Sequence, residues 1–301
     1  MESKKKTKVV VTGGAGFIGS NLTDALIGLG FDVHVVDNLS NGKKENVNKK
    51  ANLHVKDITD IRQIQPIING AKYVFHLAAL PRVQYSIENP LESDLTNVRG
   101  TLNVLVASKN SGVKKVIYSA SSSAYGDQKN MPLKENMKPS PKSPYGVQKY
   151  IGELYCQTWS EVYGLPTVCL RYFNVYGPRQ SAEGAYALVI AKFMKQLADG
   201  QSMTITGDGK QTRDFTSVHD VVRANVLAMK SSRVGRGEVI NIGAGKNQSI
   251  NKIAELIGGP IQYILARFEP RNTLADNSLA YKLLGWKPKI SIEEGIRELK
   301  I

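Results

Sequence analysis

The β-branched run Lys8-Val9-Val10-Val11-Thr12 leads directly into Gly13-Gly14-Ala15-Gly16-Phe17-Ile18-Gly19, and an amphipathic segment over 20–29 follows at once. A strand, three glycines spaced by three and a helix admit few architectures. The glycines let the backbone turn tightly and approach a pyrophosphate, whose charge then sits on the free N–H groups at the helix N-terminus. A glycine triplet alone is weak evidence; flanked by strand and helix it predicts a dinucleotide cradle. Asp37 closes the next β-branched run, 18 residues beyond Gly19. A carboxylate there accepts both ribose hydroxyls of an adenosine and repels a 2′-phosphate, so NAD is expected over NADP.

Short apolar runs at 8–12, 32–36, 53–55, 73–77, 115–119 and 167–170 alternate with helix-length segments, among them 20–29 and 97–108. Apolar strands of this length suit a parallel sheet covered by helices on both faces. The fold class that follows is α/β: a Rossmann-like, doubly wound parallel sheet with a second, smaller α/β substrate domain. Beyond Tyr172 glycine turns become frequent, which places an NAD-binding domain at 1–172 and the smaller domain at 173–301. Segments near 212–244 can return a helix and a strand to the main sheet.

Tyr145-Gly146-Val147-Gln148-Lys149 follows Ser143-Pro144. Proline suits the first turn of a helix, and a spacing of four puts Tyr145 and Lys149 on one face. Among 13 tyrosines such a match arises by chance, so its meaning comes from order. The glycine loop precedes Ser119-Ala120-Ser121-Ser122-Ser123-Ala124-Tyr125-Gly126, itself after a strand, and the Tyr-Lys pair follows. Tyrosine titrates near 10, too high for a base at neutral pH, but a lysine ammonium and an oxidised nicotinamide favour the phenolate. Lowering the pKa by about three units corresponds to roughly 4 kcal/mol of differential stabilisation. Tyr145 can then take a proton from a secondary hydroxyl as hydride leaves the same carbon, with Ser121 steadying that hydroxyl.

With these residues in view, the chain resembles an extended short-chain dehydrogenase/reductase, and within that group the UDP-hexose 4-epimerases. Asp37-Asn38-Leu39-Ser40, His76-Leu77-Ala78-Ala79, Arg171-Tyr172-Phe173-Asn174-Val175-Tyr176-Gly177-Pro178, Gly207-Asp208-Gly209, Thr212-Arg213-Asp214-Phe215 and Leu274-Ala275-Asp276 fall in family order. The resemblance implies NAD held by Gly13, Gly16, Phe17, Ile18, Gly19, Asp37, Asn38, Ser40, Gly42, Asp57, Ile58, Leu77, Ala78, Ala79, Tyr145 and Lys149. It implies a UDP-sugar held by Ser121, Ser122, Tyr145, Asn174, Gln180, Tyr186, Arg213 and Thr273, with Arg267 or Arg271 as a second diphosphate ligand. Guanidinium binds phosphate bidentately. Sugar-nucleotide dehydratases carry an acidic Thr-Asp-Glu triplet where Ser121-Ser122-Ser123 stands, and uronate decarboxylases a glutamate at Ser123. What the family chemistry leaves is oxidation at C4, rotation of the 4-keto sugar and return of hydride to the other face. A small residue such as Thr273, three before Asp276, implies room for an N-acetyl group. The resemblance also implies a homodimer through helices of the cofactor domain.

Lysine and arginine exceed the acids by a net +14, which attracts polyanions. The basic residues are scattered, and neither zinc-finger spacing nor an aromatic RNA-binding motif accompanies them, so no nucleic-acid partner is expected. No metal site is expected from the four histidines or from Cys156 and Cys169. His76 reads as a packed residue and Cys169 as a small buried hydrophobe. The basic opening lacks a signal-peptide core and no run reaches bilayer length, so a cytoplasmic protein without membrane attachment is expected. Two other readings share these features: an enzyme acting on a UDP-uronic acid, and a protein that senses NAD without chemistry.

Overall fold

The computed structural model describes residues 6–182, 188–265 and 271–300. Its strands are β1 (Lys8–Thr12), β2 (Asp32–Asp37), β3 (Asn52–Val55), β4 (Tyr73–His76), β5 (Lys115–Ser121), β6 (Thr167–Tyr172), β7 (Val175–Tyr176), β8 (Met203–Thr206), β9 (Thr212–Asp214), β10 (Thr216–Ser217), β11 (Arg236–Ile242), β12 (Asn247–Ser249) and β13 (Ile261–Ile264). The helices are α1 (Phe17–Gly28), α2 (Ile61–Ile68), α3 (Val83–Glu88), α4 (Pro90–Asp94), α5 (Gly100–Asn110), α6 (Pro144–Tyr163), α7 (Val189–Ala198), α8 (Val218–Lys230), α9 (Ile250–Ile257), α10 (Ser278–Leu284) and α11 (Ile292–Leu299).

Seven strands form one sheet in the order β11-β6-β5-β4-β1-β2-β3, and every neighbouring pair is parallel. Chain direction across the sheet reverses between β1 and β4, and the crevice at such a reversal is where open α/β sheets bind ligands. The pleat explains why the strands are apolar throughout. Val9, Val11, Val33, Val35, Phe75, Ile117 and Leu170 pack under α1, α8 and α10. Val10, Val36, Val74, Val116, Tyr118 and Cys169 pack on the other face, beneath α2, α5 and α6. Alternate residues thus serve opposite cores.

The late segments do return to the sheet: β11 pairs with β6, and α8 packs with α1 on one face. A separate core, including Phe193, Met203, Ile205, Phe215, Ile253 and Ile296, lies among α7, α9, α11 and β8. The small parallel pair β8/β13 and the antiparallel pair β9/β12 complete that half.

Two boundaries differ informatively from the sequence expectation. β5 and β6 run on to Ser121 and Tyr172 because their ladder continues through Ala120↔Arg171 and Ser121↔Tyr172; main-chain pairing does not need apolar side chains. The helix expected over 97–108 starts instead as a widened π-helical turn, Leu95–Arg99, before α5. There Asn97 turns inward, accepting from the Leu80 N–H at 2.8 Å and donating to the Leu80 carbonyl and to Gln148 Oε1 at 3.1 and 2.8 Å.

Candidate active site

The glycine loop is as tight as its sequence requires. Gly13 has φ +71°, and a Cβ there would lie 2.6 Å from the Ala78 nitrogen. A Cβ on Gly19 would lie 2.1 Å from the Gly13 carbonyl oxygen. Helix α1, which opens on Phe17 and Ile18, has Gly16 as its N-cap, with no side-chain acceptor on the first-turn amides. That combination is a cradle for an external anion at the β1 end.

Asp37 ends β2 almost fully enclosed. Its Oδ2 accepts from the Ala15 N–H at 2.9 Å and its Oδ1 from the Leu39 N–H at 2.8 Å. Burial pushes the carboxyl up, while the two amides pull it back. Each oxygen keeps a second lone pair, enough for a pair of ribose hydroxyls. Gly42 lies against it, since a Cβ there would meet Asp37 Oδ1 at 2.8 Å. Asn38 donates to Asp57 Oδ2 at 2.9 Å, and the Ser40 N–H donates to Asn38 Oδ1 at 3.1 Å. The Ile58 side chain packs on Gly100 in the core, so its main chain is what this position can offer a ligand.

Thr12 joins the loops at the reversal point, its Oγ1 accepting from the Leu77 and Ala78 N–H groups at 3.2 Å each; Ala79 follows. His76 bridges Thr12 Oγ1 at 2.8 Å and Thr101 Oγ1 at 2.9 Å. Burial foremost, and Lys149 second, depress its pKa to about 3. His76 is a neutral packed residue, as the sequence indicates.

Ser121 closes β5 and caps the turn Ser122–Ala124, accepting from the Ser123 N–H at 3.2 Å and donating to Ser123 Oγ at 3.1 Å. Opposite it, α6 begins with Ser143 accepting from the Gly146 N–H at 3.1 Å and with Pro144 in the first turn. Tyr145 and Lys149 are both buried on α6, and Ser121 lies near enough to Tyr145 to draw its pKa down. Ser121, Tyr145 and Lys149 therefore converge at the ends of β5 and α6, beside the dinucleotide crevice.

The expected lowering of the tyrosine calls for an oxidised nicotinamide as well as Lys149, and burial by the protein alone acts in the other sense. Burial pushes Tyr145 up to about 12, against a smaller pull from Ser121. Lys149 donates from Nζ to the Ser119 carbonyl at 2.8 Å and lies 5.1 Å over the Tyr118 ring. Burial brings it down to about 8, with Glu153 as the main opposing influence. Desolvation therefore favours the protonated phenol, and the positive charge of a bound oxidised cofactor would oppose it.

Several supports carried no sequence signal. Ser86 Oγ accepts from the Tyr145 N–H at 3.0 Å. Gln148, bonded to Asn97, donates to Ser93 Oγ at 2.9 Å and fixes α6 to the preceding helices. Only the polarity of Asn97 and Gln148 within apolar helical faces could have marked them.

The residues expected at the sugar nucleotide form a second cluster. Asn174, at φ +30°, donates to Thr273 Oγ1 at 3.2 Å. Gln180 donates to the Val175 carbonyl at 2.8 Å, and its Oε1 is buried without a protein partner. Arg213 Nη1 donates to the Thr212 carbonyl at 2.9 Å. Arg271 is exposed and forms a two-pronged pair with Asp208, at 3.1 and 2.9 Å. Tyr186 and Arg267 lie outside the described residues. No helix among the described residues is long and apolar enough to cross a membrane.

Residues 9–243 match the NAD dependent epimerase/dehydratase family. The chain is 41% identical to a UDP-N-acetylglucosamine 4-epimerase from Methanobrevibacter ruminantium, solved with UDP-N-acetylmuramic acid; the alignment covers 98% of this chain and 97% of that one, with a TM-score of 0.93. It is 42% identical to the UDP-glucose 4-epimerase of Thermotoga maritima solved with UDP-glucose, over 97% of each chain, with a TM-score of 0.92. A UDP-glucuronate 4-epimerase of Thermodesulfobacterium geofontis is 37% identical, over 96% of this chain and 93% of its own. The chain belongs to the NAD-dependent epimerase/dehydratase family, among the extended short-chain dehydrogenases/reductases.

Proposed function

We propose that this protein is a UDP-hexose 4-epimerase that accepts both plain and N-acetylated hexoses. The observation carrying this reading is the placement of buried Tyr145 and Lys149 on one face of α6, with Lys149 bonded to the Ser119 carbonyl two residues before Ser121 on β5, and a serine at position 123. Gly13, Gly16, Gly19 and Asp37 would hold NAD, which when bound would supply a hydride acceptor and donor and a positive charge.

The chain's part is proton transfer and positioning. Tyr145 Oη takes the C4 hydroxyl proton, and Ser121 holds that hydroxyl in line. The same Tyr145 oxygen returns the proton once the 4-keto sugar has turned over, so a single group serves as base and acid. Lys149, anchored on Ser119, orients the cofactor ribose and adds its charge. Asn174, Arg213 and one of Arg267 and Arg271 hold the diphosphate while the sugar rotates. Elimination of water or loss of CO₂ would call for a carboxylate at the serine triplet, and Ser121-Ser122-Ser123 supplies none. Thr273 is small, and its hydroxyl is engaged by Asn174, which supports room beside C2.

A panel of UDP-glucose, UDP-N-acetylglucosamine and UDP-glucuronate, with products identified by NMR, tests the reading. Inversion at C4 of both hexoses is expected. Turnover of the uronate alone would assign the uronic-acid reading, and no turnover with NAD bound would assign the sensor. We also propose a homodimer: Leu91 on α4, Leu95 in the π turn, and Val147 and Leu154 on α6 are exposed apolar side chains on neighbouring helices, and a second copy would cover them. Light scattering at twice the chain mass is the expected result.

A further inference from the structure

Asp214, at the end of β9, is fully enclosed, at 0% exposure. Its carboxylate gathers main-chain N–H groups from two distant segments. Oδ1 accepts from Ala244 at 2.7 Å, and Oδ2 from Gly245 at 3.0 Å and Ala275 at 2.9 Å. The first segment leaves the end of β11, and the second leads into α10. A hydroxyl or an amide oxygen could not gather three donors this way; a carboxylate offers about four lone-pair positions, and bonds to it are charge-assisted.

The main chain of Asp214 extends the clamp. Its N–H donates to Thr273 Oγ1 at 3.3 Å, and its carbonyl accepts from Asn174 Nδ2 at 3.4 Å. Arg213 is its immediate neighbour on β9. Packing around the clamp is close: a Cβ on Gly243 would lie 2.4 Å from the Ala275 Cβ and 3.0 Å from Asp214 Oδ2. The enclosure has a cost that a mere spacer would avoid, since burial pushes the carboxyl up to about 6.

We propose that Asp214 is the positioning residue of the substrate half of the site: by tying 244–245 and 275 to β9 it fixes Asn174, Arg213 and Thr273 in one frame, and so sets affinity for the sugar nucleotide without entering the chemistry at Tyr145. This rests on the reading of those three residues as sugar-nucleotide contacts. The test compares Asp214→Asn and Gly243→Ala with the unaltered NAD-loaded protein, measuring KM and kcat for UDP-glucose and, by calorimetry, the affinity for UDP. Gly243→Ala crowds Ala275 and Asp214 Oδ2 while keeping the charge of the carboxylate, and keeps the test decisive should Asp214→Asn fail to fold. The expected result is a rise of about tenfold in KM and in the UDP Kd, the effect of roughly one lost hydrogen bond, with kcat within about twofold and NAD affinity unchanged. KM and Kd within about twofold of the parent, or an equal loss of NAD affinity, would overturn the proposal. If the unaltered protein turns over no UDP-sugar, the functional reading fails, and the UDP affinities still decide whether Asp214 positions a nucleotide site.

Discussion

Glu153 and Arg171 meet in a two-pronged ion pair, Nε to Oε1 at 2.7 Å and Nη2 to Oε2 at 2.6 Å, with both side chains sealed inside the protein. The pair binds α6 to β6 one turn beyond Lys149. Arg171→Met leaves a buried carboxylate unpaired and should destabilise the fold by about 3–5 kcal/mol. The double variant Arg171→Met with Glu153→Leu should recover most of that loss. Urea denaturation of both variants measures the difference, and equal midpoints would discard this account.

Tyr145→Phe removes the oxygen that exchanges a proton with the sugar while leaving the glycine cradle and Asp37 in place. Turnover should fall by about 10²- to 10⁴-fold, with NAD affinity by fluorescence titration unaltered. Retained turnover would remove Tyr145 from the mechanism.

Gly19→Ala forces a methyl group onto the Gly13 carbonyl, 2.1 Å away by ideal geometry. Since the backbone there has nowhere to go, NAD affinity should fall about tenfold or more. In the same titration Asp37→Ala should weaken NAD binding and narrow the preference over NADP, because the carboxylate that repels a 2′-phosphate is gone.

His76 makes stability depend on pH. The folded ring takes a proton only below about 3, the unfolded ring already below its ordinary 6.5. Between those values the unfolded chain binds the extra proton, so the stabilisation is complete above about 6.5 and drains away as pH falls toward 3. Asp214, raised from 3.8 to about 6, acts in the opposite sense, losing stability as pH rises across that interval, and blunts the effect. In thermal melts from pH 7 to 4, His76→Gln should lose less stability on acidification than the parent. A parallel decline would refute the assignment.

The cofactor half was legible in the sequence because its signals are local: glycines that turn a strand into a helix, a carboxylate at the next strand end, and Tyr145 and Lys149 spaced by one helical turn. The membership of β11 in the sheet could be read as an option, from an apolar run far along the chain. The clamp at Asp214 was invisible, since its partners at 244, 245 and 275 are main-chain amides with no side-chain signature.

The pairing of β11 with β6 also bears on whether the two halves can be separated. A chain stopped after Tyr172 would leave β6, whose six residues are all buried, with one unpaired edge open to any passing strand. Such a fragment should self-associate rather than persist as a free nucleotide-binding module. Swapping substrate preference by grafting residues 173–301 from a relative would therefore have to carry over the sheet's outermost strand as well.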